Sequence, residues 1–294
     1  MKKLIFTTLV VMWTGIQLFA QDKPAYQIFN NKGEKVDYTT MLNDVAKGDI
    51  IFFGELHNNP ISHWLELQVA KGLFAQKGKK LIMGAEMFEA DNQLMLDEYQ
   101  NGIIRAKDFE EEARLWPNYK TDYKPLLDFA VKNKIHFVAT NIPRRYAAMV
   151  ARGGFEALNK LSNEAKKYIA PLPINYDPNL PCYKNMLNMG GHLKGMMGPM
   201  KNQNLPKAQA IKDATMAYFI LKNWEKGKTF YHFNGSYHSD NYQGIVWHIK
   251  LQNKQVSIKT ISTLMQKDVS KLDKENQTKA DYIIVVPEDM TTTY

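Results

Sequence analysis

Short apolar runs that each end on polar residues recur along this chain. The first of them, Asp49-Ile50-Ile51-Phe52-Phe53-Gly54-Glu55-Leu56-His57-Asn58-Asn59-Pro60, constrains the fold most. Four consecutive large apolar residues between Asp49 and Gly54 read as a strand buried on both faces, the pattern of a parallel sheet rather than of an alternating antiparallel one. Parallel strands need a crossover, and Pro60 suits the first turn of a helix that Trp64, Leu65, Leu67 and Leu73 continue. Glu55 and His57 therefore fall where strand hands over to helix. That edge is where open α/β sheets collect ligands. One residue supplies a carboxylate, the other an imidazole.

The same layout returns three times. Residues 79–87 read as a second buried strand ending on Glu86, and residues 135–141 as a third that delivers Asn141, with Pro143 opening the next helix beside Arg144 and Arg145. Residues 229–233 form a fourth, closed by Gly235 and the pair Tyr237-His238. In a parallel sheet all four ends lie along one edge, so carboxylate, imidazole, amide and phenol would share one pocket. His136, at the start of its strand, would lie at the opposite edge.

Around these strands we expect a small strand at 26–29, a helix at about 38–46, the helix of 59–76, and a helical layer over 91–129 broken near Gly102 and Trp116-Pro117. Residues 153–170 also read as helical. Residues 206–226 form an amphipathic helix with Ile211, Ala214, Ala217, Tyr218, Leu221 and Trp224 on one face, and with Gln209, Asp213 and Met216 sharing its flank. Residues 245–251 and 256–261 read as strands or a hairpin, and 282–286 as the last strand. Residues 177–182 read as an irregular loop in which Cys182 has no base beside it. Between Met189 and Met200 stand four methionines, four glycines and His192. This segment reads either as a mobile apolar lid, with His192 as a candidate ligand or gate, or as a surface connection whose methionines pack on neighbouring helices.

The first residues, Met1-Lys2-Lys3 and an apolar stretch to about Leu18, then Phe19-Ala20 before Gln21, have the layout of a secretory signal cut after Ala20. That leaves 21–294 as one α/β domain with helical insertions at about 90–130 and 155–205. Cys182 is the sole cysteine, so no lipobox cysteine stands at the cleavage point and no intramolecular disulfide forms. A soluble periplasmic or extracellular protein is the expectation. The net charge of +8, or +6 without Lys2 and Lys3, comes from scattered lysines. With no basic run interleaved with aromatics, nucleic-acid binding is not favoured, and the excess would serve at most to draw in an anionic ligand.

Two ligand chemistries fit the strand ends. Glu55, His57, Glu86 and His238 would suit a divalent metal with mixed nitrogen and oxygen donors. Tyr237, His238 and His192, with apolar cover from the methionines, would suit haem iron. The ordered blocks Gly54-Glu55-Leu56-His57-Asn58-Asn59-Pro60, Glu86-Met87-Phe88, Asn141-Ile142-Pro143-Arg144, Gln209 with Asp213-Ala214-Thr215-Met216-Ala217, and Asn234-Gly235-Ser236-Tyr237-His238 resemble the ChaN-like haem-binding family, related to the wider Tiki, TraB and erythromycin esterase-like group. The resemblance spans about residues 45–250. It implies an α/β fold with a mostly parallel central sheet flanked by helices, haem as ligand bound across a homodimer, an envelope location, and a role in iron or haem acquisition alongside outer-membrane uptake components. On that reading Tyr237 and His238 are candidate axial or near-axial residues and Arg144 a partner for a propionate. His192, Asn141, Gln209, Asp213 and Met216 would complete the cofactor site. Many family members are lipoproteins, and the missing lipobox cysteine sets this chain apart from them. The wider group also includes metal-dependent peptidases and esterases with Glu and His at the Gly54-Glu55-Leu56-His57 position. The alternative it implies is a metal-dependent hydrolase with Glu55 as general base and His57, Glu86 and His238 holding a metal or orienting water.

Overall fold

The computed structural model describes residues 23–189 and 203–294. The strands among them are β1 (Gln27–Asn30), β2 (Lys35–Val36), β3 (Ile50–Glu55), β4 (Leu81–Glu89), β5 (Phe137–Asn141), β6 (Thr229–Gly235), β7 (Ile258–Gln266) and β8 (Tyr282–Pro287). They form a single sheet in the order β2-β1-β8-β7-β3-β6-β4-β5. From β8 to β5 every neighbouring pair is parallel, while β1 pairs antiparallel with both β8 and β2 at one margin. The helices are α1 (Tyr38–Val45), α2 (Pro60–Lys77), α3 (Gln93–Gln100), α4 (Ala106–Glu112), α5 (Lys124–Asn133), α6 (Arg144–Gly153), α7 (Asn163–Lys166), α8 (Pro181–Met189), α9 (Leu205–Asn223) and α10 (Ile245–Gln252).

The apolar run of β3 lies at the centre of the sheet for a simple reason: Ile50, Ile51, Phe52 and Phe53 are all fully buried, and successive strand residues need cover on opposite faces. Ile51 and Phe53 pack in one layer with Leu65, Val69 and Leu73 of α2 and with Leu126 and Leu127 of α5. Ile50 and Phe52 pack in the other with Met216, Ala217 and Ile220 of α9 and with Ile245, Val246 and Ile249 of α10. All parallel strands end on one side, so Glu55, Glu86, Asn141 and Gly235 share an edge. Among the described residues no helix is long and apolar enough to cross a membrane.

Three local expectations are corrected. Residues 245–251 are not a strand but the body of α10. Their buried positions, 245, 246, 248 and 249, follow helical spacing, and Gly244, at φ +54°, turns the chain into the helix. Residues 153–170 hold only a 3₁₀ turn, Phe155–Lys160, and the short α7, because Gly154 at φ +71° ends α6. Cys182 sits in the first turn of α8, which Pro181 opens, rather than in an irregular loop. The expected leader, residues 1–20, and the segment 190–202, with His192 and most of the Met/Gly-rich lid, lie outside the described residues.

Candidate functional site at the carboxyl edge of the sheet

Glu55 follows the parity of Ile51 and Phe53, so its carboxylate faces the α2 layer, where it is almost wholly buried. Beneath it, α2 starts cleanly: the Asn59 side chain accepts from the Ser62 N–H at 3.0 Å, and Pro60 fills the first turn. One turn on, His63 and Glu66 point into the same interior. A π-helical turn, Tyr119–Tyr123, then brings the consecutive residues Asp122 and Tyr123 inward together.

The contacts are dense. Glu55 Oε1 accepts from the Tyr123 hydroxyl at 2.7 Å and lies 2.6 Å from His57 Nδ1. His63 Nδ1 lies 3.2 Å from Glu66 Oε2 and 3.7 Å from Glu55 Oε2. His63 Nε2 lies 3.1 Å from the His57 carbonyl and 3.5 Å from Asp122 Oδ2. Asn118 donates both to the His57 carbonyl, at 2.8 Å, and to Asp122, at 2.6 Å. Thr293 closes this side, donating from its hydroxyl to Asp122 at 2.8 Å and from its N–H to the Asn58 carbonyl at 2.9 Å. Burial pushes the Glu55 carboxyl up, but the His57 hydrogen bond and the facing Glu66 carboxyl outweigh it, and Glu55 is held below its ordinary value. Burial and the Glu55 charge raise Glu66 well above its own.

Across the sheet a second cluster forms around Glu86. Its Oε2 accepts from the Gly235 N–H at 2.8 Å and its Oε1 lies 3.1 Å from His238 Nε2. His238 Nδ1 bonds Asp213 Oδ1 on α9, whose other oxygen accepts from the Tyr183 hydroxyl at 2.8 Å. The Tyr183 oxygen in turn lies 3.2 Å from His248 Nε2. The Gln209 amide nitrogen lies 3.1 Å and 3.2 Å from the two ring nitrogens of His238. Burial opposes the charged ring, yet the Glu86 and Asp213 carboxylates lift His238 to about 10. Burial likewise opposes the Glu86 charge, and the His238 cation more than cancels it, leaving Glu86 far below the usual carboxylate range. The cluster is an imidazolium clamped between two carboxylates.

Gly235 joins the two sides. A Cβ built there would lie 2.5 Å from His57 Nε2 and 3.5 Å from Glu86 Oε2, so the missing side chain is what lets His57 lean over the edge toward Glu86. The His57 ring packs on Trp116 at 4.9 Å, and its side chain keeps 35% of its surface exposed. Burial lowers the affinity of His57 for its proton, but the Glu55 hydrogen bond and the Glu86 charge raise it above the ordinary histidine value.

The structure thus gathers Glu55, His57, Glu86, His238, Gln209 and Asp213 at one edge. It does not gather Glu55, His57, Glu86 and His238 as donors around one point: they are hydrogen-bonded pairwise, and both nitrogens of His238 are taken. Met216 is fully buried in the apolar layer of α9, away from the edge. Arg144 is exposed in the first turn of α6 with no partner among the described residues, and the Oδ1 of buried Asn141 also lacks one. Tyr237 is half-buried; its hydroxyl donates to the Cys182 carbonyl, and burial pushes it up to about 12. The sequence reading missed His63, Glu66, Asp122 and Tyr123.

Residues 41–249 match the family model described as haem-binding uptake, Tiki superfamily, ChaN. This chain belongs to the ChaN haem-binding family. Among solved structures it is similar to ChaN of Campylobacter jejuni, described with cofacial haem binding, at a TM-score of 0.64 and 17% identity over 89% of this chain and 96% of that one. A Bacillus cereus protein gives 0.49 at 11% identity over 83% and 90%. The erythromycin esterase EreC, as a mutant in its open conformation, gives 0.47 at 10% identity over 82% and 77%. No curated protein matches the sequence. The Campylobacter ChaN likeness is one of fold: the same α/β arrangement, a mostly parallel sheet flanked by helices. In this ChaN family member the matched span supplies each strand-end residue of the edge, from Glu55 to His238.

Proposed function

We propose that this protein is exported, binds haem at the carboxyl edge of its sheet, and serves iron or haem acquisition, with outer-membrane uptake components as partners. The observation that carries the reading is the coincidence of the family match with a half-buried phenol, Tyr237, at an edge where, among the described residues, the exposed guanidinium of Arg144 and the buried carbonyl of Asn141 have no partner. These groups fit haem: a phenol for the iron, a cation for a propionate and an amide for an edge polar group. Bound haem would supply an iron that accepts an oxygen or nitrogen donor. Tyr237, whose hydroxyl here donates to the Cys182 carbonyl, would be the residue of this chain to hold it. His238 is not, since an imidazolium held at both nitrogens has no lone pair to give.

Titration of residues 21–294 with haemin tests this. Saturable binding with a shifted Soret band, altered and weakened in Tyr237→Phe, is expected. Because Arg144 is exposed, Arg144→Ala should cost only about 0.5–1 kcal/mol, a two- to fivefold loss. Absence of any saturable shift in the wild type would sink the reading.

One observation favours a second reading, hydrolysis. Glu55 at 2.6 Å orients the His57 ring so that Nε2, with no hydrogen-bond partner among the described residues, stands beside Glu86, the layout of a general base with its orienting carboxylate. Glu55 itself is too buried to be that base. Ester hydrolysis lost in His57→Gln and retained in Tyr237→Phe would support this reading.

A further inference from the structure

Behind His57, three buried side chains converge: Glu55, His63 and Glu66 each offer one donor atom, all within 4.8 Å of one another. The tautomer of His63 explains why this arrangement is unusual. Its Nε2 faces only acceptors, the His57 carbonyl at 3.1 Å and Asp122 Oδ2 at 3.5 Å, so Nε2 carries a proton. In the neutral ring Nδ1 is then a lone pair, and it points at two carboxylates. A second, independent sign is that Glu55 Oε2 and Glu66 Oε1 are buried without a hydrogen-bond partner among the described residues. Buried lone pairs facing one another are costly unless a proton or a cation lies between them.

We propose that Glu55, His63 and Glu66 form a binding site for a divalent metal ion, which shares Glu55 with the strand edge but lies on the inner side of it. Two donor separations, 3.2 Å and 3.7 Å from His63 Nδ1, straddle the roughly 3.3–3.5 Å between ligands of a tetrahedral ion with bonds near 2.0–2.1 Å. One nitrogen and two carboxylates select borderline to hard ions such as zinc, manganese or iron(II). The outer contacts are those of a metal site as well: the His63 N–H is fixed by a carbonyl and a carboxylate, and Tyr123 and His57 hold the other oxygen of Glu55. This site does not depend on haem. Its ion would share the Glu55 carboxylate with His57 and add positive charge to the edge.

The test uses the intact mature chain, stripped with chelator and titrated with Zn²⁺, Mn²⁺ or Co²⁺ alone. One ion per chain should bind, Co²⁺ should give visible absorption bands of a nitrogen- and oxygen-ligated site, and the ion should raise the unfolding temperature. Glu66→Gln and His63→Gln should each weaken binding at least about tenfold, whereas Glu86→Gln should bind as the wild type does. Unfolding in chelator shows whether each variant folds; for one that does not, the wild-type cobalt spectrum and metal-dependent stabilisation decide. If the wild type takes up none of the three ions, a shared proton holds the cluster and the proposal falls. It falls equally if Glu86→Gln abolishes binding while Glu66→Gln keeps it.

Discussion

Gly235 sets the distance between His57 and Glu86, and with it the charge of the edge. Gly235→Ala should push the imidazole off the edge, cost about 1–3 kcal/mol of stability from overpacking, and lower the His57 titration midpoint seen by NMR. An unchanged midpoint would mean that Glu86 does not act on His57. His238 gives a pH prediction with a definite sign. Its folded value, about 10, stands above the ordinary 6.5, so its contribution is complete below about pH 6.5 and is lost as pH rises toward 10. Glu86 works oppositely, contributing above its ordinary 4.5 and losing that contribution as pH falls. Denaturant titrations between about pH 7 and 9.5 should show wild-type stability falling and His238→Gln nearly flat. The variant itself should be about 3–5 kcal/mol weaker at pH 7, because two buried carboxylates lose their cation. At this scale the sequence was partly legible. Residues at strand ends announce themselves because a buried apolar run must stop somewhere, and Glu55, Glu86 and His238 were found that way. Tyr123 and Asp122 were not, because a π turn shifts the register on which helical spacing arguments rest.

Among the elements, the crossover helix α2 shows both what periodicity reveals and what it hides. Its existence and its Pro60 start follow from the sequence, but its apolar set marks the inner face only in part: Leu65 and Leu73 are buried, Trp64 is half exposed, and polar Ser62, His63 and Glu66 are buried. A signal was present, since Ser62, Glu66, Val69 and Leu73 form one stripe at helical spacing, and a carboxylate amid a buried stripe marks a polar interior. The strand misread at 245–251 has the converse cause. Alternating Ile245, Trp247, Ile249 and Leu251 imitate period two, whereas the packing uses Ile245, Val246 and Ile249. Ile249→Ala should therefore cost about 2–5 kcal/mol, and Leu251→Ala, at 46% exposure, within about 0.5 kcal/mol. Equal losses would contradict the helix.

For the whole molecule, the parallel sheet and its shared edge were legible because each strand carries its own apolar run. Strand order was not, since order is set by which crossovers pack rather than by any local residue. That order has a consequence for how the protein is made. β6 lies between β3 and β4, yet its last residue follows the end of β4 by nearly half the chain. At about 5–20 residues per second a ribosome needs roughly 7–30 s to cover that distance, and throughout it the two strands that will flank β6 have no central partner. The nascent chain thus holds a slot open in its own middle, and Gly235, which brings the two halves of the site together, arrives with the strand that fills it.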